Sequence, residues 1–137
     1  MLEGLRAEQG IEATFFGGHS LGEYTALVAA DVIPLAQAVR LVHLRGRLMQ
    51  QAVPEGEGAM AALIRDDLCP EAIAAVIQDL CVDLANINSP NQVVISGRKA
   101  DVEIGLARLL QSPAAKGAKA RLLNVSAPFH SRLMAEV

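Results

Sequence analysis

The chain has 137 residues and a formal net charge of −3, with 52% hydrophobic and 20% charged residues. It is too apolar for a disordered chain, and a mildly acidic balance without a Lys/Arg block argues against a nucleic-acid partner. No apolar run approaches the roughly 20 residues of a membrane span, and Met1-Leu2-Glu3-Gly4-Leu5-Arg6 lacks the basic-then-apolar pattern of a signal peptide, so a cytoplasmic protein off the membrane is expected. With no Trp, one Tyr and three Phe, the core must be built from Ala, Leu, Val and Ile. Cys69 and Cys81 form neither a metal site nor a disulfide framework. Set among Leu, Ala and Ile, both read as buried, inert thiols.

In chain order, Met1 to Gln9 reads as a helix end closed by Gly10. Thr14-Phe15-Phe16 suggests a buried strand that ends at Gly17-Gly18. Leu21 to Ala30 is helical, with Tyr24, Leu27 and Val28 at helical spacing. A second helix starts near Pro34, a residue tolerated in a first turn, and runs to about Gln51 with Val39, Val42, Leu48 and Met49 as its apolar face. Pro54-Glu55-Gly56-Glu57-Gly58 breaks the pattern. Beyond it the periodicity predicts a strand over Ala59 to Ile64, a helix over Pro70 to Leu80 and a strand over Val82 to Ile87. Asn88-Ser89-Pro90-Asn91 has the chemistry of a turn. A strand over Gln92 to Ser96, a helix over Lys99 to Gln111 and a strand over Lys119 to Val125 complete the series. The order from 59 to 125 is β-α-β-β-α-β, the ferredoxin-like signature. The expected fold is therefore α/β. It comprises a partial α/β-hydrolase-like large subdomain (1–53), an inserted ferredoxin-like small subdomain (54–122), and a tail (123–137) returning to the large subdomain.

The sharpest local feature is Gly18-His19-Ser20-Leu21-Gly22. It is a G-x-S-x-G pattern between a predicted strand and a predicted helix, the context of a nucleophile elbow. Glycine permits the tight turn. The serine oxygen is then lifted to a helix N-terminus, whose N–H groups and dipole favour developing negative charge. The N–H of Leu21 is placed to donate to an oxyanion. A serine nucleophile needs a base, and the chain has three histidines. His19 adjoins the serine, so its ring points away and reads as structural or as a wall of the cleft. His43 reads as a half-exposed helix-face residue. His130, after Pro128-Phe129 in a connecting segment, is where a base could sit. Arg45 shares a helix face with Met49 and could hold a carboxylate through two parallel hydrogen bonds. Arg40 and Arg47 read as solvated.

These segments occur in a telling order. They are Gly18 to Tyr24, Leu44-Arg45-Gly46-Arg47-Leu48-Met49-Gln50, Ala52 to Gly56 with Gly58 to Ala62, Asn88-Ser89-Pro90, Gln92 to Gly97, and Ser126-Ala127-Pro128-Phe129-His130-Ser131. Together the series resembles the malonyl-CoA:acyl carrier protein transacylases of fatty-acid synthesis and the related acyltransferase domains of polyketide synthases. The resemblance runs from Gly18 to Met134. It implies that Ser20 attacks the thioester of malonyl-CoA, His130 takes and returns the proton, Leu21 N–H serves the oxyanion, and Arg45 grips the free malonyl carboxylate. It implies that Met49 lines the acyl pocket, that Phe129 excludes an α-methyl branch, that His19 lies at the cleft, and that Asn88 borders it. It further implies two substrates, malonyl-CoA and phosphopantetheinylated acyl carrier protein, with no cofactor and no metal.

Two other readings stand beside this one. A serine hydrolase would use the same Ser20 and His130, but it needs an acid before the histidine, and Asp101 and Glu103 are badly placed for that. A non-catalytic piece of a transacylase is the other. Family members are longer, nothing before Gly18 matches their Gln-containing oxyanion loop, and they continue beyond the histidine. The chain is thus expected to be a central fragment. Oligomeric state is not readable from it.

Overall fold

A computed structural model describes residues 4, 8, 10 and 13–137. The described chain divides into two compact units, Met1–Gly46 and Arg47–Val137.

In the first unit, α1 (Leu21–Ala29) is followed by α2 (Leu35–Ala52), whose C-terminal part continues into the second unit. Pro34 precedes α2 and accepts hydrogen bonds from the N–H groups of Gln37 and Ala38, which uses proline where a missing donor costs nothing. Along α2 the inward stripe is Ala38, Val42, Arg45 and Met49, of which Ala38 and Met49 are buried. This is the i, i+4, i+7, i+11 repeat of one helix face. Val39 and Leu48, expected on the apolar face, fall off this stripe and are exposed.

The second unit is a four-stranded antiparallel sheet with two helices on one face. The elements are β1 (Gly58–Ile64), α3 (Pro70–Ile77), β2 (Val82–Ser89), β3 (Gln92–Arg98), α4 (Lys99–Gln111) and β4 (Lys119–Leu122), then a 3₁₀ turn at Arg132–Met134. The strand order is β2-β3-β1-β4. In the central strand β1, Ala61 stands opposite Ile95 of β3 and Leu122 of β4. Successive side chains of a strand point to opposite faces. Ala61 and Leu63 therefore join Val93, Ile95, Ile73, Ile77, Val102 and Leu109 in the core under the helices. Met60 and Ala62 join Val94 on the other face, where Val125 and Phe129 pack over them. Both faces of β1 are covered, which is why it reads as the unbroken run Ala-Met-Ala-Ala-Leu-Ile. Complete burial of a side chain such as Leu63 contributes about 1.5–3 kcal/mol.

Some expectations are corrected. Thr14 to Phe16 is not a strand; residues 13–18 are irregular and Phe15 is 90% exposed. A strand exists only through ladder partners, and the described sheet consists of β1 to β4 alone. The expected helix end over Met1 to Gln9 lies mostly outside the described residues. Asn88 and Ser89 belong to β2, leaving Pro90 and Asn91 as the turn, because a hairpin needs only two loop residues. Gly97 does not end β3 but lies within it, where a Cβ would overlap the Cys81 carbonyl oxygen. Helix α3 stops at Ile77 and β4 at Leu122. Cys69 is exposed and Cys81 only half-buried. Cys69 is the N-cap of α3, just before Pro70, and its thiol donates outward to Glu71 Oε2 at 3.2 Å.

Candidate active site

Ser20 is the N-cap of α1, with φ 55° and ψ −108°. A non-glycine residue at positive φ is strained by about 1–3 kcal/mol and persists only where its surroundings fix it. Here the fixing is local. The N–H groups of Gly22 and Glu23 donate to the carbonyls of His19 and Ser20 at 2.9 and 3.2 Å. A Cβ on Gly18 would overlap the carbonyl carbon and oxygen of Gly22, whereas a Cβ on Gly22 would meet nothing within 4 Å. The chain folds back on itself at this turn, and only the first glycine of the pattern is required for space. Leu21 opens the helix, so its N–H has no intrahelical acceptor. His19 is exposed.

Within the same unit the structure brings Arg45 to Ser20. Nη2 of Arg45 donates to Ser20 Oγ at 2.9 Å, and both residues are half-buried. The inward stripe of α2 explains the approach. Arg45 lies between Val42 and Met49 on that stripe, while Arg40 and Arg47 face solvent. A guanidinium at this position offers several N–H donors in a planar fork, which suits a carboxylate placed next to the serine oxygen.

The second unit holds the remaining candidates. His130 follows Pro128-Phe129, is exposed, and has φ 60°. Phe129 packs on Met60, Ala62 and Val94. Pro128 is fully buried against Gly58, where a Cβ would overlap the proline ring. Ser131 is buried and donates from Oγ to the Pro128 carbonyl at 2.8 Å. Gln50 reaches the Ser126 carbonyl at 3.5 Å. Met49 is buried. Asn88 is exposed on β2, and its Nδ2 donates to Gln92 Oε1 at 2.9 Å.

Two residues absent from the sequence reading belong to this region. Asp83 of β2 accepts from the backbone N–H of Arg132 at 2.6 Å and from its guanidinium at 2.7 and 3.0 Å. Burial pushes the Asp83 carboxyl up, but the bonds from the Arg132 side chain and backbone outweigh it and hold the group below the usual carboxylate range. A lone acid between the apolar Val82 and Leu84 of a strand was the available signal. Among the described residues no group of three or more His, Cys, Asp or Glu could hold a metal ion. Among the described residues no helix is long and apolar enough to cross a membrane.

The site thus combines a serine at positive φ at a helix start with a guanidinium on its oxygen. The family model described as the acyl transferase domain matches residues 2–137, and the chain belongs to that family. It is 50% identical over 131 residues to the malonyl CoA-acyl carrier protein transacylase of Escherichia coli (strain K12), a match covering 93% of this chain and 41% of that protein. It is 47% identical over 132 residues to the protein of the same name from Bacillus subtilis (strain 168), covering 93% and 40%. Among solved structures, an acyl carrier protein S-malonyltransferase from Vibrio cholerae matches with TM-score 0.87 and 46% identity, covering 98% of this chain and 44% of that one. A malonyl-transacylase solved in complex with its type II PKS acyl-carrier protein matches with TM-score 0.83 and 46% identity, covering 97% and 43%. The chain thus spans about two fifths of the length of the curated relatives it matches.

Proposed function

We propose that this chain carries the acyl-transfer machinery of a malonyl-CoA:acyl carrier protein transacylase. The observation that carries the reading is the strained Ser20 with Arg45 Nη2 at 2.9 Å from its oxygen. In the first half-reaction Ser20 Oγ forms an ester bond to the malonyl carbonyl carbon, and the carbon–sulfur bond to coenzyme A breaks. His130 takes the serine proton and delivers it to the departing thiolate. The Leu21 N–H stabilises the tetrahedral oxyanion, and Arg45 holds the free malonyl carboxylate. In the second half the phosphopantetheine thiol of acyl carrier protein gives its proton to His130 and takes the malonyl group from Ser20, which regains the proton. This is ping-pong transfer through a malonyl-serine. Met49 and Phe129 wall the acyl group, with His19 and Asn88 at the cleft. No cofactor takes part, and the reaction runs in the cytoplasm.

In this reading residues 1–53 belong to an α/β-hydrolase-like large subdomain, residues 54–122 form an inserted ferredoxin-like subdomain, and 123–137 return to the large one. The β2-β3-β1-β4 order of an antiparallel β-α-β-β-α-β unit supports the second of these assignments.

The test is labelling of the native protein with radioactive malonyl-CoA, with Ser20→Ala as control. Label on Ser20 that chases onto acyl carrier protein is the expected result. Free malonate in place of malonyl carrier would instead identify a hydrolase. An unlabelled Ser20 in folded protein would leave a binding fragment.

A further inference from the structure

Residues 125–132 cross the sheet face opposite the helices, and His130 sits in that segment at φ 60°. A non-glycine residue whose backbone lies in the left-handed region stays there only if the chain on both sides is fixed. The N-terminal side is fixed by packing: Pro128 is buried against Gly58, and Phe129 lies on Met60, Ala62 and Val94. The C-terminal side is held by Ser131, whose Oγ and N–H donate to the Pro128 carbonyl at 2.8 and 3.4 Å, and beyond it by charge. Asp83 stands opposite Ser96 of β3, on the face that also bears Val94, so its carboxylate rises under the segment. There it takes the Arg132 backbone N–H on Oδ2 at 2.6 Å and the Arg132 guanidinium on Oδ1, from Nη2 at 2.7 Å and Nε at 3.0 Å. A carboxylate that binds one residue at both backbone and side chain fixes its position and its orientation together.

We propose that Asp83 is a positioning residue for His130: by seizing Arg132 at its backbone and its guanidinium, it holds the His130 backbone in the left-handed region and thereby sets the direction of the imidazole. The inference rests on the reading of His130 as the acid–base group. If the anchor is removed, residues 130–132 relax toward ordinary negative φ and the ring swings away. Acyl transfer slows at the proton-transfer step, while the carboxylate anchor and the acyl cleft are untouched.

The test measures malonyl transfer by the intact enzyme carrying Asp83→Ala, Asp83→Asn, Arg132→Ala or His130→Ala. For Asp83→Ala, kcat is expected to fall about tenfold or more, the scale of a small misplacement of a reacting group. KM for malonyl-CoA is expected to stay within about twofold, since substrate binding is not affected. Endpoint labelling of Ser20 with a sulfonyl fluoride is expected to stay stoichiometric, which a merely misfolded variant would not manage. Asp83→Asn keeps acceptor oxygen and Arg132→Ala keeps the backbone bond, so each falls between wild type and Asp83→Ala. If Asp83→Ala does not fold, these two milder variants decide by the same criteria. The proposal is overturned if the folded variants keep wild-type kcat, or if their loss merely tracks a smaller labelled fraction. Full transfer by His130→Ala would overturn the functional reading itself. An inactive His130→Ala beside a fully active Asp83→Ala overturns the anchor alone.

Discussion

Arg45 Nη2 donates to Ser20 Oγ at 2.9 Å across 25 residues of sequence. The guanidinium therefore lies within one hydrogen bond of the atom that would carry the acyl group. A carboxylate two carbons away from that acyl carbonyl falls inside the reach of the same fork of donors. In the proposed reaction, the contact would set substrate choice by charge at the nucleophile rather than at a distant subsite.

Arg45→Ala is accordingly expected to abolish the preference for malonyl. A hydrogen bond to a charged group contributes about 1.5–3 kcal/mol, so kcat/KM for malonyl-CoA should fall by roughly 10- to 150-fold. Acetyl transfer, which has no carboxylate to lose, should change little. Parallel kinetics with malonyl-CoA and acetyl-CoA check this. An equal loss for both would remove the proposed role of Arg45.

The two glycines that flank the serine are chemically alike in sequence but not in structure. Gly18→Ala sets a methyl group onto the Gly22 carbonyl, so the elbow has to open or shift. Backbone overlap of this kind belongs among the large-effect mutations of about 3 kcal/mol or more, and both stability and Ser20 labelling should collapse. Gly22→Ala meets open space on a helix, where alanine is favoured over glycine by up to about 1 kcal/mol. Thermal melts of the two variants should move in opposite directions.

Local chemistry made much of this architecture legible. Pro70 at the start of α3, the Pro90-Asn91 half of the expected Asn88 to Asn91 turn and the Pro54 to Gly58 break before β1 lie within a few residues of what they determine. They produced the β-α-β-β-α-β order and most element positions. Thr14 to Phe16 misled because strand propensity says nothing about whether a ladder partner is present. Cys69 misled because apolar neighbours do not reveal that a helix N-cap faces outward. At the site, Ser20 was visible from its own turn, and the stripe through Ala38, Val42, Arg45 and Met49 was implicit in helical spacing. The Arg45 contact with Ser20 and the Asp83 grip on Arg132 span 25 and 49 residues. No local pattern encodes pairs so far apart.

The Asp83–Arg132 pair also fixes a pH dependence. The Asp83 carboxyl lies below its ordinary value in the folded chain, so the unfolded chain binds the proton more readily. The resulting stabilisation is fully present above the unfolded value of about 3.9. It disappears as the pH falls through the lower folded value. Partly exposed pairs of this kind are worth about 1 kcal/mol or less. The stability difference between wild type and Asp83→Asn should be constant near neutrality and shrink in acid. A difference that grew as the pH fell would contradict the pairing. Denaturant titrations from neutral to acidic pH read it directly.

Ser96 supplies a prediction of the opposite sign. It is fully buried in β3, and its Oγ has no hydrogen-bond partner among the described residues. A hydroxyl removed from water without a partner costs about 1–3 kcal/mol. Replacement by alanine deletes the hydroxyl and leaves a gap of only one oxygen atom in the strand face. Ser96→Ala is therefore expected to raise the stability of the protein by roughly 1 kcal/mol, less the small packing loss. Val82 and Gly97, paired across β2 and β3, are not disturbed by the change. Urea unfolding at neutral pH measures the effect through the midpoint at unchanged slope. A lower midpoint would mean that the hydroxyl bonds to a buried water.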